Sequence, residues 1–166
     1  MKVLGVDPGS RITGLGIVES DGDRLVMHYA ASIRAGQGEI GGRLKIIFDA
    51  VGDAVERFRP DVVAVEQVFM ARNPHSALIL GHARGAAIAA AVCRDMPIAE
   101  YSAKQIKLAV VGQGGADKGQ VQHMVRVLLS LSSNPTVDAA DALACAICHI
   151  NMREVKSRLA LNGVVQ

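Results

Sequence analysis

Four carboxylates stand at places in the sequence where an acid is costly unless it has a partner. Two of them, Asp7 and Glu66, come directly after short apolar runs that are typical of buried strands. The other two, Asp138 and Asp141, lie three residues apart and so share one face of a predicted helix. Oxygen ligands without a histidine or cysteine cluster suit Mg²⁺ or Mn²⁺, and two such ions catalyse phosphodiester hydrolysis. The four acids therefore predict a metal-dependent nuclease site.

Each acid also has a plain structural interpretation. Asp7 precedes Pro8-Gly9 and, taken alone, is explained as well by a turn as by a metal site. An acid in the first turn of a helix is favoured by the helix dipole, so Asp138 taken alone needs no function. What favours the catalytic interpretation is that one place in the fold is available to all four acids.

Hydrophobic periodicity predicts the elements that must position these acids. The chain opens with three strands joined by turns, which is the pattern of an antiparallel meander. Helical spacing then alternates with short apolar runs typical of buried parallel strands. Strands are predicted over residues 3–6, 15–18, 25–34, 62–65 and 96–100, and helices over residues 44–58, 76–92 and 120–129. The result is an α/β fold with a mixed five-stranded sheet, in which the first three strands are antiparallel and the others parallel, flanked by helices.

The last predicted helix carries Asp138 and Asp141. Asn134 is predicted as its N-cap and Pro135 as its first residue, because these residue types favour those positions. The length of 166 residues is typical of one domain, so residues 1–166 are expected to form a single domain. Residues from about 153 to 166 are expected to form a flexible tail.

Any nucleic-acid contact must come from a local patch, because the formal net charge is only +2. Lys104 and Lys107 share a helix face, and a glycine-rich loop leads from that helix to Lys118, which suits contact with phosphates. Solvated surface lysines are the plainer interpretation. Together with Arg72 these lysines form the predicted patch, whose DNA binding should weaken steeply with salt. Phe69 is interpreted either as a core residue or as a ring that stacks on an unpaired base.

Two further motifs occur in the wrong context for their usual function. Residues 36–41 match G-x-G-x-x-G, but they follow an antiparallel meander rather than the first strand of a βαβ unit, so a loop before a helix is predicted. Residues 145–149 spell the haem-attachment string C-x-x-C-H inside an apolar helical pattern, which favours reduced core cysteines. Neither an export signal nor a membrane span is recognised, and a cytoplasmic protein is expected.

Four stretches resemble the RuvC family of Holliday junction resolvases, which belongs to the ribonuclease H-like superfamily. They are GVDPGSRITG at 5–14, AVEQVFM at 64–70, QHMVR at 122–126 and DAADALA at 138–144. These stretches are spread over nearly the whole chain, and together they are highly specific.

The resemblance implies a ribonuclease H-like fold and a homodimer that nicks opposite strands of a four-way DNA junction symmetrically. The four acids would hold two Mg²⁺ ions per active site, with Mn²⁺ as a substitute. Lys107 and Lys118 would meet the DNA backbone near the scissile phosphate, and Phe69 would touch bases at the junction centre. The resemblance also implies action with the RuvA–RuvB branch-migration machine, a preference for T-containing sites and ligatable nicks.

Three other functions remain open from the residues alone. The spacing from Asp7 to Gly14 also resembles the first phosphate motif of actin-like ATPases, but those proteins need two such domains and a second phosphate loop. A related nuclease fold could process RNA as a monomer. A non-catalytic junction-binding module is the third alternative, although it would not require four acids.

Overall fold

The structure is a computed structural model that describes residues 1–22, 24–67 and 74–161, with side chains as far as Lys156. Its centre is one five-stranded sheet with the order β3-β2-β1-β4-β5. The strands are β1 (Lys2–Asp7), β2 (Ile12–Asp21), β3 (Arg24–Arg34), β4 (Val62–Glu66) and β5 (Ile98–Tyr101). The first three are antiparallel neighbours, whereas β4 and β5 run parallel to β1. The predicted mixed sheet is confirmed.

Within the part of the chain that the structure describes, five helices cover the two faces of this sheet. They are α1 (Ile40–Phe58), α2 (Pro74–Val92), α3 (Ala103–Val111), α4 (Lys118–Leu128) and α5 (Val137–Leu161). One apolar core lies between the sheet and the last three helices, and a second lies between the sheet and α1 and α2. Cys145 and Cys148 are buried in the first core as free thiols.

Glycines in β1 and β2 allow α5 to lie directly on the sheet. A Cβ atom added at Gly5 would come 1.9 Å from the backbone oxygen of Ala142, and one at Gly16 would come 2.8 Å from the Leu143 side chain. Real Cβ atoms cannot approach backbone so closely, so larger residues would push the helix away from the strands. This close packing determines where the two acids of α5 lie above the sheet.

Several predicted boundaries are wrong by a few residues. α1 begins at Ile40 rather than Leu44, so its first two residues belong to the G-x-G-x-x-G match at residues 36–41. The rest of that match forms the loop between the antiparallel strand β3 and α1. β5 begins two residues later than predicted. α5 begins at Val137, so Asn134 is not its N-cap and Pro135 is not its first residue. Because α5 continues to Leu161, more than half of the predicted tail is helical, while its flexibility stays a prediction.

Candidate active site

Asp7 and Glu66 lie side by side at one edge of the sheet. β1 and β4 are parallel neighbours, with Val6 opposite Val65, so each strand places the acid that ends it at the same edge. The two carboxyl groups are within hydrogen-bonding reach of each other. Both residues are half-buried because the core residues before them hold the strand ends inside the protein. The two predicted strand-end acids are therefore brought together.

Asp141 reaches the same place from α5. It lines a cavity of about 210 Å³ together with Asp7 and Glu66, and its side chain is 18% exposed. Asp138 does not line this cavity, but its charge raises the pKa of both Asp7 and Asp141, so it stands close to them. Three of the four predicted acids thus line one cavity, and the fourth lies beside it.

Two of the predicted lysines complete the cavity wall. Lys107 extends from α3 and Lys118 from the first residue of α4. The Lys118 ammonium group lies 3.3 Å from the Asp141 carboxylate, which raises the pKa of Lys118. Its side chain is 71% exposed, so the ammonium group can leave this acid for another anion. The cavity therefore presents both carboxylates and ammonium groups to whatever enters it.

The electrostatics of the cavity show a shortage of positive charge. Burial, followed by repulsion from Glu66 and Asp141, raises the pKa of Asp7 from 3.8 to about 7. Burial, followed by Asp141, also raises the pKa of Glu66. The pKa of Asp141 is raised mainly by burial, although Lys118 opposes the shift. Buried carboxylates that repel one another hold their protons more tightly, and the neighbouring lysine charges compensate only in part.

The donor set fits a hard divalent cation. The cavity offers the carboxylate oxygens of Asp7, Glu66 and Asp141, which are the ligands that Mg²⁺ and Mn²⁺ prefer. In the part of the chain that the structure describes, no three acidic, histidine or cysteine side chains are close enough to bind one metal ion as they stand.

The other predicted contact residues have different outcomes. Lys104 is exposed on the first turn of α3 and does not line the cavity; its aliphatic stem packs over Gly114 instead. Phe69 and Arg72 lie outside the described residues. Their predicted roles at the DNA stay predictions.

Sequence reasoning missed the residues that hold the beginning of α5. The side-chain amide of Gln122 donates through Nε2 to the Pro135 carbonyl oxygen at 2.6 Å. The hydroxyl oxygens of Ser32 and Thr136 are also hydrogen-bonded, 2.6 Å apart. The N–H of Ala140 donates to the oxygen of Thr136 at 2.8 Å, which begins the helical bonding just before Asp138. These long-range contacts have no local signature in the sequence.

Comparison with known proteins gives this geometry a family. The model of the family described as crossover junction endodeoxyribonuclease RuvC matches residues 3–149. The chain belongs to this family. The stretch that matches includes both strand-end acids, both acids of α5 and both cavity lysines. The resemblance seen in the sequence is confirmed, and with it the assignment to the DNA-cleaving hydrolases.

Relatives in the RuvC family match over almost the whole chain. The RuvC of Xanthomonas axonopodis pv. citri (strain 306) is 52% identical, over 97% of this chain and 94% of its own length. That of Vibrio parahaemolyticus serotype O3:K6 (strain RIMD 2210633) is 54% identical, over 97% of this chain and 92% of its own. The structure of T. thermophilus RuvC in complex with Holliday junction substrate superimposes with a TM-score of 0.88 at 34% identity, covering 95% of this chain and 97% of that one. The ribonuclease H-like fold is thereby confirmed.

The same comparisons do not favour the alternatives. Crossover junction endodeoxyribonucleases are metal-dependent DNA nucleases, so neither ATP hydrolysis, RNA processing nor binding without cleavage is the function of the family.

Among the described residues, no helix is both long and apolar enough to cross a membrane.

Proposed function

We propose that this chain resolves four-way DNA junctions by metal-dependent hydrolysis at the cavity between β1, β4 and α5. The observation that carries the proposal is the convergence of Asp7, Glu66 and Asp141 on one cavity in a member of the RuvC family. The T. thermophilus relative, which shares the fold, was captured with a Holliday junction. A four-way junction is therefore the substrate proposed for this chain.

Asp7, Glu66, Asp138 and Asp141 would hold two Mg²⁺ ions, for which Mn²⁺ would substitute. When bound, such a pair lowers the pKa of water to produce the nucleophile and stabilises the leaving oxygen of the phosphodiester. The carboxyl groups must lose their protons to act as ligands. A raised pKa means that the site favours a bound positive charge, and a metal cation would replace the proton in that role. Because Asp138 and Asp141 belong to the same helix, α5 keeps the distance between their backbones constant.

Lys107 and Lys118 are proposed to bind the phosphate that is cleaved. Both line the cavity opposite the carboxylates, and an ammonium group donates up to three hydrogen bonds to phosphate oxygens. Lys118 would exchange its contact with Asp141 for the phosphate, which frees that carboxylate for metal. The lysines thus orient the phosphate and stabilise the charge that develops on it.

Symmetric cleavage requires two active sites, and we infer a homodimer. The exposed face of α2 supports it: Leu78 and Val92 are 63% and 54% exposed, and a Cβ atom at Gly81 or Gly85 would meet no atom within 4 Å. An apolar face with small residues permits close approach of a second helix. The partner on this face is proposed to be a second copy of this chain. The resulting homodimer is proposed to act in the cytoplasm, together with the RuvA–RuvB branch-migration complex.

The deciding experiment compares a synthetic mobile four-way junction with a linear duplex of the same sequence, in Mg²⁺ or in EDTA. Paired nicks are expected in opposite strands of the junction, absent with EDTA and absent with Asp7→Asn. Asp53→Asn is the matched control, since Asp53 is exposed on α1 away from the cavity. Equal nicking of junction and linear duplex would contradict the proposal, as would full activity in Asp7→Asn.

A further inference from the structure

Two arginines lie next to each other at the edge of the sheet that carries the acids. Arg34 ends β3, opposite Ile12, and the N–H of Ala35 donates to the oxygen of Arg11 at 2.9 Å. Both arginine side chains are exposed. Within residues 1–22, 24–67 and 74–156, neither has an ion pair or a hydrogen-bonded partner for its guanidinium group. Two exposed guanidinium groups that no described acid neutralises are each available to an anion.

This pair flanks the cavity on the side opposite its lysines. β1 ends at Asp7, and β3 lies two strands away from β1, on the side away from β4 and Glu66. Neighbouring strands are about 4.8 Å apart, and Arg34 lies two residues beyond Ser32, which is level with Gly14 and Asp7, so the Arg34 backbone is about 12 Å from that of Asp7. A DNA strand that enters the cavity at Asp7 would therefore pass this end of β3 within a few nucleotides of the scissile phosphate.

Hydrogen bonds hold Arg11 rigidly relative to Asp7. The hydroxyl group of Thr13, which is buried, donates to the Gly9 oxygen at 3.3 Å and accepts from the Gly9 N–H at 3.4 Å. The Arg43 guanidinium group donates to the oxygen of Ser10. The turn that joins β1 to β2 is therefore tied both to itself and to α1. A rigid turn holds a positive charge at a constant distance from the reacting centre.

We propose that Arg11 and Arg34 bind backbone phosphates of the DNA within a few nucleotides of the scissile phosphate, on the β3 side of the cavity. The inference rests on the proposed function, because it assumes that DNA enters this cavity. Guanidinium groups match phosphate oxygens in pairs and form charge-assisted hydrogen bonds. With the lysines on the other side, the DNA backbone is held on both sides of the acids, which the low net charge of the chain would not achieve by itself.

Arg24 provides a matched control for the test. It begins β3, is exposed like Arg34, and lies at the other end of the same 11-residue strand, about 33 Å away. The variants are Arg11→Ala/Arg34→Ala, Arg24→Ala, and Arg11→Lys/Arg34→Lys, which keeps both charges. Binding of a synthetic four-way junction is measured in EDTA over a range of salt concentrations, and far-UV circular dichroism with urea unfolding checks that each variant folds.

The double alanine variant is expected to bind about tenfold more weakly at 0.1 M salt, with a log–log salt slope shallower by about 1.8, since each phosphate contact contributes about 0.9. Arg24→Ala should match wild type in affinity and slope, and the double lysine variant should recover most of the slope. A wild-type slope in the double alanine variant would overturn the inference.

Methylphosphonate substitution separates the two proposals. Neutral linkages are introduced one at a time at each phosphate near the cleavage site, and at least one of them, on the β3 side, should weaken binding by wild type but not by the double alanine variant. Equal weakening of both proteins would overturn the arginine contact, whereas the proposed function would stand as long as wild type makes paired nicks. If wild type makes none, the proposed function fails, and the binding measurements still decide whether the arginines contact phosphates.

Discussion

The Cβ position of Gly14 falls 1.9 Å from the backbone oxygen of Asp138. Gly14 pairs with Asp7 across β1 and β2, so one glycine lies between an acid of the sheet and an acid of α5. The absence of a side chain allows the helix to bring Asp138 and Asp141 above Asp7. The geometry of the site thus depends on a residue that contributes no functional group.

Gly14→Ala is therefore expected to damage both stability and activity. The added methyl group meets backbone, which cannot rotate away, so α5 must move; overpacking of this kind costs about 1–3 kcal/mol. Junction nicking at a temperature where the variant is still folded should fall by at least tenfold. Urea unfolding and single-turnover cleavage measure the two effects.

Gly41→Ala is the control for that variant. A Cβ atom at Gly41 would meet no atom within 4 Å, and alanine is favoured over glycine in helix α1 by about 1 kcal/mol. This control should be at least as stable as wild type and should cleave normally. If Gly14→Ala behaved in the same way, the close approach of α5 to β2 would not be important.

The raised pKa of Asp7 predicts that the metal-free protein loses stability as the pH rises. In the folded state the pKa is about 7, compared with an ordinary value of 3.8, so the folded state binds the extra proton between about pH 4 and pH 7. The free energy of unfolding should fall across this range, by at most about 4 kcal/mol from this group, because each pKa unit corresponds to about 1.4 kcal/mol. Urea unfolding in EDTA at pH 4.5 and pH 8 measures the difference.

Asp7→Asn should weaken this pH dependence, leaving the part that comes from Glu66 and Asp141, while abolishing cleavage. At pH 8 in EDTA the variant should be more stable than wild type, since it has no charge to bury, and near pH 4 the two should converge. Added Mg²⁺ should stabilise wild type more than the variant, because it binds the folded state. The opposite order of stability at pH 8 would show that the carboxylate is already compensated without metal.

Lys118 and Lys104 should differ in what they contribute. Lys118→Ala removes an ammonium group from the cavity wall, and the loss of one such donor costs about 10²–10³ in cleavage rate, with little change in junction affinity. Lys104→Ala, outside the cavity, should lower affinity less than fivefold and leave the rate of bound substrate unchanged. Single-turnover rates at saturating protein separate the two. Similar losses of rate would place Lys104 at the reacting phosphate.

The sequence was sufficient for the parts of the site that depend on local patterns. Asp7 and Glu66 follow apolar runs, and such runs end where the strands do. Lys118 was expected in a loop, but it begins α4, because Asp117 and Gln120 form a capping box that the sequence also contains. A local signal of that kind was available and was missed.

The beginning of α5 could not be read from local signals. Asn-Pro is a favourable helix start, yet Pro135 offers its carbonyl oxygen to Gln122 and Thr136 contacts Ser32, so helical bonding starts only at Thr136. Ser32 is 104 residues from its partner. Contacts between distant residues outweigh a preference of a few tenths to about 2 kcal/mol. The close approach of α5 to the glycines of β1 and β2 escapes sequence reasoning for the same reason.

Gln122 provides the last prediction, because it holds the segment from which Asp138 and Asp141 extend. Gln122→Ala removes the donor to the Pro135 oxygen and should cost about 1 kcal/mol of stability. Under conditions in which the variant is fully folded, kcat for cleavage should still fall, while the affinity for the junction stays unchanged. A higher Mg²⁺ concentration should partly restore kcat. His123→Ala, a change at an exposed position on the same helix, is the control for stability and cleavage. A loss of stability with unchanged kcat would mean that Gln122 supports the fold without positioning the acids.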